Sequence, residues 1–207
     1  MLTYGYGTKD AKERLKPVQF HRDDPQDDEV VIEVTHCGVC HSDLHQARND
    51  WQNTIYPCVP GHEIVGRVLK AGPKVQKYQV GDRVGVGCMI DSCLSCDNCN
   101  KNEENYCLSQ LGCTLTYNGA KKSDAFNTYG GYSTLLVVRE EFVLKIPESL
   151  DSKVCGPLMC AGITVYSPMK HWRLGQGDVL GVAGIGGLGH MAIQFGKVLG
   201  AKVIAFT

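Results

Sequence analysis

Cys93, Cys96, Cys99 and Cys107 form a C-x2-C-x2-C-x7-C run. Four thiolates at that spacing close a tetrahedral zinc shell and leave no position for chemistry. Cys40, His62 and Cys160 stand apart from the run and far from one another in sequence, each inside its own short polar or glycine-rich motif. Three mixed sulfur and nitrogen ligands leave a fourth position open to water or substrate. A closed shell beside an open one is the pattern of an enzyme that carries one structural and one catalytic zinc, two ions per chain.

Eleven cysteines in 207 residues could instead build a disulfide scaffold, but the count is odd and the chain is long for one. The opening stretch MLTYGYGTKDAKERLK lacks the apolar core of a secretory signal, so reduced thiols in the cytoplasm are expected. In that setting closely spaced cysteines read as metal ligands. Cys37, Cys58, Cys88, Cys113 and Cys155 fit no ligand spacing and read as small buried hydrophobes. A net charge of −1 gives no basic face for nucleic acid, and no apolar run approaches the ~20 residues that span a bilayer.

Two regimes of pattern must position these residues. From about Glu29 to Leu144, short β-branched segments are cut by Gly and Pro, at Glu29–Val34, Ile64–Leu69, Arg83–Val86 and Tyr132–Val138. They predict a β-barrel-like domain with long functional loops over residues 1–150. Beyond Pro147 the pattern predicts a helix over Cys155–Met169, a strand at Val179–Ala183, a helix over Leu188–Leu199 and a strand at Lys202–Phe206. Strand, glycine turn, helix and strand make one βαβ unit, so residues 151–207 read as the first part of a nucleotide-binding α/β domain.

The turn of that unit, Gly184-Ile185-Gly186-Gly187-Leu188-Gly189, matches G-x-G-x-x-G in its diagnostic context, after a strand and opening a helix. Gly184 permits the tight turn, Gly186 lets backbone approach a pyrophosphate, and Gly189 allows close packing of helix on strand. Gly187 and Leu188 open the helix whose free N–H groups face the phosphates. About 20 residues beyond the first glycine, an NAD-binding unit presents an acid to the ribose. Here that place falls on or near Thr207, and Ile204-Ala205-Phe206-Thr207 holds no acid. NADP(H) is therefore favoured over NAD(H).

Cys37-Gly38-Val39-Cys40-His41-Ser42-Asp43-Leu44-His45, Gly61-His62-Glu63-Ile64-Val65-Gly66, the four-cysteine run, Pro157 to Thr164 and Gly184 to Gly189 occur in this order. The set resembles the zinc-dependent medium-chain alcohol dehydrogenases. It most resembles their cinnamyl-alcohol-dehydrogenase-like branch, which includes broad-range NADP-dependent aldehyde reductases. The resemblance runs from about Val30 to the last residue. It implies a GroES-like β-barrel catalytic domain over 1–150 and the start of a Rossmann domain, truncated, over 151–207.

Carried over by position, the resemblance makes Cys40, His62 and Cys160 the catalytic ligands, because the family's ligand directly precedes His-Ser-Asp. Glu63 resembles the carboxylate beside the metal, and Asp43 the one that orients the histidine ligand. Ser42 and His45 resemble the proton relay, His41 the contact to the cofactor pyrophosphate, Thr164 a neighbour of the nicotinamide, and Trp51 an aromatic wall of the substrate pocket. The implied activity is interconversion of primary alcohols and aldehydes by hydride transfer, in a full-length form that is a homodimer. The match ends after the second strand of the nucleotide-binding domain. A zinc-binding fragment without turnover is therefore the competing expectation. A metal-free reductase on the same fold is disfavoured by retention of all three ligands.

Overall fold

The computed structural model describes residues 1–110, 112–119 and 127–207. The chain divides into two compact units, Met1–Gly156 and Pro157–Thr207.

The first unit is built on a five-stranded sheet. Its strands are β3 (Glu29–Cys37), β4 (Ile64–Ala71), β5 (Arg83–Val86), β8 (Leu135–Arg139) and β9 (Leu144–Lys145), in the spatial order β8-β3-β4-β5-β9. All neighbours are antiparallel. Two ribbons flank it, β1 (Leu2–Gly7) with β2 (Lys16–His21) and β6 (Met89–Asp91) with β7 (Thr114–Leu115). An isolated bridge between Gly5 and Ser133 ties the first ribbon to the segment leading into β8. Val30, Ile32, Ile64, Val68, Val84, Val86, Leu136 and Val138 form the sheet's buried face. These alternating residues, β-branched but for Leu136, are the ones whose removal from water drives the strands together.

Arg83–Val86 forms a strand at the limits read from sequence. The predicted Tyr132–Val138 strand begins only at Leu135. Its first residue is engaged elsewhere: Tyr132 donates its backbone N–H to the Pro60 carbonyl, as Gly130 and Gly131 just before it do to those of Val59 and Gly61.

Shape inside the sheet is set by close backbone approach. A Cβ on Gly66, within β4, would lie 2.2 Å from the Glu33 carbonyl oxygen and 2.5 Å from Ile32 Cγ2. Only glycine lets β4 close on β3 there, beside the register shift between Val34 and His36.

The second unit holds α3 (Ala161–His171), β10 (Val179–Ala183), α4 (Gly187–Val198) and β11 (Lys202–Phe206). The short helix α2 (Ser152–Cys155) closes the first unit. The single helix expected over Cys155–Met169 is broken: α2 is followed by a 3-10 turn at Gly156–Met159 and then α3. Pro157 lacks the N–H that a continuous helix requires, and Cys160 leaves helical geometry at φ −124° and ψ −77°. β10 and β11 are parallel, and Met169, Val182 and Ala192 are the buried centre of this unit. No helix of the described residues is long and apolar enough to cross a membrane.

Gly66→Ala is expected to lower the stability of the first unit by roughly 3 kcal/mol, the scale of overpacking against a rigid neighbour. The denaturant midpoint would fall accordingly; an unchanged midpoint would show that β4 can withdraw from β3 without loss.

Candidate metal centres and the polar helix beside them

Between β6 and β7 the chain forms a lobe whose four thiols, Cys93, Cys96, Cys99 and Cys107, lie with all sulfur atoms within 4.8 Å of one another. Short 3-10 turns at Cys99–Lys101 and Glu104–Tyr106, with Leu94 and Asn102 in left-handed conformation, fold the run back on itself. Main-chain N–H groups point at the sulfurs, from Leu108 to Cys96 (3.3 Å), Cys96 to Cys93 (3.4 Å) and Cys93 to Cys107 (3.5 Å). Ser92 and Ser109 hydroxyls lie 3.4 and 3.2 Å from Cys99 and Cys107.

These donors hold Cys93, Cys96 and Cys107 below the ordinary thiol range. Cys99 behaves differently. The Ser92 hydroxyl pulls its pKa down, but burial and the three neighbouring sulfurs push it up to about 11. Sulfur anions this close repel one another, and a divalent cation at their centre removes that penalty. The donor set fits zinc. Arg139 anchors the lobe to the sheet, pairing with Asp91 (3.2 Å) and with Asp28 (3.1 Å).

The second centre lies where β3 and β4 meet, since Cys37 at the end of β3 pairs with Ile64 at the start of β4. Beyond Cys37 the chain turns into α1 (His41–Ala47), with Cys40 as its N-cap residue. Just before Ile64 come Gly61, at φ +102°, then His62 and Glu63. Ligand atoms of Cys40, His62 and Glu63 lie within 4.8 Å of one another. Cys37 stays outside this group. Its sulfur packs against Gly61 and Gly131, and burial pushes its thiol up to about 12. The two thiols, Cys37 and Cys40, thus face different surroundings.

Asp43 is 3 % exposed and accepts four hydrogen bonds. Oδ1 takes the Gly61 N–H and His62 Nδ1, each at 3.0 Å, and Oδ2 takes the Cys40 N–H at 3.0 Å and the Tyr132 hydroxyl at 2.8 Å. Burial alone would raise its pKa, yet the bonds and charge from His62, with those from Cys40 and Tyr132, hold it below the usual carboxylate range. An ionised carboxylate can only accept, so His62 Nδ1 carries the proton and Nε2 is the lone-pair nitrogen, the tautomer a metal ligand needs. Tyr117, itself buried, packs its ring 5.4 Å from the imidazole. Glu63 is buried beside them, and burial raises its carboxyl above the ordinary range. Gly38 makes its room, because a Cβ there would fall 2.0 Å from Glu63 Oε2.

Along α1, the His41 and His45 rings lie 4.8 Å apart, tilted by 41°, and the Trp51 ring lies 5.5 Å from His45. Ser42 is half-buried on the same helix. His45 Nδ1 sits 2.7 Å from Asp50 Oδ2. Asp50 and Tyr132 both escaped the sequence reading. The five-residue offset of Asp50 from His45 passes through the helix end and the left-handed Asn49, and no helical periodicity announces it. Trp51 is half-exposed and lies beside His45.

In the second unit, Cys160 is the N-cap residue of α3, and its carbonyl accepts the Thr164 N–H at 3.0 Å. Gly184 takes φ +82°, and a Cβ on Gly189 would sit 2.0 Å from the Gly184 carbonyl oxygen, so both must be glycine. Gly186 caps α4 without a side-chain partner, which leaves the first-turn N–H groups of Gly187, Leu188 and Gly189 facing outward. The Gly184 N–H donates to the Phe206 carbonyl, so Thr207 follows β11 directly beside the glycine turn.

Cys93→Ser is expected to lower bound zinc by one ion per chain while leaving the Cys40 and His62 centre loaded. Elemental analysis of the purified variant checks this; loss of both ions would show that the centres are not independent.

Residues 26–148 match the alcohol dehydrogenase GroES-like domain. Aldehyde reductase YahK of Escherichia coli is 50% identical over 202 residues, covering 97% of this chain and 57% of the relative. Probable cinnamyl alcohol dehydrogenase 5 of rice, Oryza sativa, is 50% identical over 204 residues, covering 98% and 56%. Among solved structures, cinnamyl alcohol dehydrogenase SbCAD4 of Sorghum bicolor superposes with a TM-score of 0.95 at 44% identity, over 99% of this chain and 58% of its own. The Helicobacter pylori cinnamyl alcohol dehydrogenase complexed with NADP(H) gives 0.95 at 38%, over 100% and 59%. The chain thus spans a little over half the length of the relatives it matches. With the domain match covering well over half of its residues, the chain belongs to the alcohol dehydrogenase GroES-like family.

Proposed function

We propose that this chain carries the chemistry of a zinc-dependent oxidoreductase that interconverts primary alcohols and aldehydes with NADP(H). The observation that carries the reading is the convergence of Cys40, His62 and Glu63, with Asp43 fixing the imidazole tautomer. Cys40, His62 and Cys160 are the proposed ligands of the catalytic ion, and Cys160 enters on its sequence motif. Cys93, Cys96, Cys99 and Cys107 hold the structural ion. A zinc ion with an open position polarises an aldehyde carbonyl and, in the other direction, acidifies an alcohol hydroxyl. The hydride belongs to the nicotinamide.

The chain's own residues handle the proton and the binding. The Ser42 hydroxyl, able to donate and accept, meets the substrate oxygen. His45 is next in the relay, and Asp50, accepting from Nδ1 at 2.7 Å, leaves Nε2 to exchange the proton. Glu63 stands beside the proposed ligands, where its carboxyl would be within reach of the ion. His41 and the Gly184–Gly189 turn bind the pyrophosphate, Thr164 borders the nicotinamide, and Trp51 walls the substrate pocket.

The preference for NADP(H) rests on the uncharged Thr207 and its neighbours, and the H. pylori relative was crystallised with that cofactor. Residues 1–150 act as the zinc-binding catalytic domain and 151–207 as the start of the nucleotide-binding domain. The partner is a small alcohol or aldehyde, and the working form is a cytoplasmic homodimer.

Zinc per chain, measured on a sample also assayed for NADPH-dependent reduction of small aldehydes, tests the reading. The expected outcome is two ions with turnover, and Ser42→Ala then lowers kcat about 10²-fold, the lower end for loss of a positioned proton donor. Two ions without turnover would favour the zinc-binding fragment; fewer than two would defeat the assignment of the ligands.

A further inference from the structure

Three of the four donors to Asp43 come from the segments that bear the ligands: the Cys40 N–H, the Gly61 N–H and His62 Nδ1. The fourth, the Tyr132 hydroxyl, comes from a distant part of the sequence, and the reaction outlined above gives it no task. We propose that Tyr132 is a positioning residue for the metal centre of Cys40 and His62, acting through the Asp43 carboxylate. The proposal rests on the zinc reading of that centre.

Tyr132 grips the ligand loop twice. Its side chain bonds Asp43, and its main-chain N–H donates to the Pro60 carbonyl, two residues before His62, at 3.0 Å. Gly130 and Gly131 add bonds of 2.7 and 2.8 Å to Val59 and Gly61. This contact is too close for side chains. A Cβ on Gly130 would lie 2.4 Å from the Gly61 carbonyl oxygen, and one on Gly61 would lie 2.6 Å from Tyr132 N and 2.7 Å from its Cδ1. The Tyr6 N–H binds the Tyr132 carbonyl at 2.8 Å from the other side. The phenol is therefore placed by paired backbones, and its hydroxyl position is fixed relative to the loop that carries His62.

Each Asp43 oxygen has two donors, so the carboxylate has little freedom to turn. Without the Tyr132 hydroxyl, Oδ2 loses one of its two hydrogen bonds, and the carboxylate can rotate or admit water. Its bond to His62 Nδ1 then no longer holds the ring in one orientation. Outer partners of metal-binding histidines typically alter metal affinity by about 10–100-fold.

The test is zinc release from the 207-residue chain to a colorimetric chelator, comparing the wild type, Tyr132→Phe and Ser133→Ala, with thermal melts of each. Cys93→Ser identifies which phase of release belongs to the four-thiolate lobe. Ser133→Ala is the control for the strap itself, since Ser133 bonds Gly130, Leu135 and Arg22 but not Asp43. The expected result is that Tyr132→Phe speeds the Cys40 and His62 phase about tenfold. The lobe phase should stay at the wild-type rate, and Ser133→Ala should change neither phase. Unchanged release in Tyr132→Phe would overturn the proposal. So would equal acceleration in Ser133→Ala, or acceleration of both phases with a collapsed melt, because either would mark general loosening. A wild type that releases a single ion would instead remove the zinc reading, and the proposal with it.

Discussion

A carboxylate buried to 3 % exposure is tolerated only if its lone pairs are satisfied, and Asp43 meets that demand with four donors from three segments of the sequence. The requirement forces the start of α1, the Gly61–His62 loop and the segment before β8 to arrive at one point together. The sheet makes this possible. β3 and β4 are antiparallel neighbours whose near ends pair at Cys37 and Ile64, so the residues just outside those ends emerge side by side. Cys40 and His62, the two proposed ligands, become neighbours because each lies a few residues beyond one paired end. The apolar face of Val30, Ile32, Ile64 and Leu136 thus acts on function at one remove, by fixing register.

The two proposed metal centres show opposite electrostatic designs. In the lobe, main-chain N–H groups and two serine hydroxyls surround four sulfurs, so the negative charge is met by many weak dipoles and waits for one strong cation. At the second centre the charge is mixed: a thiol, an imidazole and a buried carboxyl whose protonated form burial favours. A set of lower total charge suits a position that must exchange ligands, whereas four thiolates suit one that must not.

Much of this was legible in the chain because the residues that matter sit in short local patterns. Val179–Ala183 and Lys202–Phe206 form strands at the limits their apolar runs suggest, and the glycine turn between β10 and α4 takes the left-handed geometry its spacing requires. Local pattern failed where tertiary contact decides. Tyr132 to Thr134 have strand-like residue types, but their N–H groups at Tyr132 and Thr134 go to Pro60 and Tyr4, and only the Thr134 carbonyl, accepting from Val34, reaches β3. The run from Cys155 to Met169 has helical apolar spacing, and a single proline with the turn at Cys160 breaks it. Asp50 and Tyr132 are ordinary polar residues in sequence, and their partners are set by the folding of a loop end and by strand register.

The cysteine lobe has one more physical implication. Among residues 93–110 only Cys99 is buried, while Tyr106 and Leu108 are 66% and 67% exposed. Such a segment removes little apolar surface from water, so it gains little from the effect that gives ordinary cores their heat-capacity signature. On the zinc reading proposed above, mass action with the cation adds to its hydrogen bonds what burial does not supply. On that reading its integrity should follow free zinc activity more closely than temperature, which would make the lobe a concentration-sensitive clasp on a thermally governed sheet.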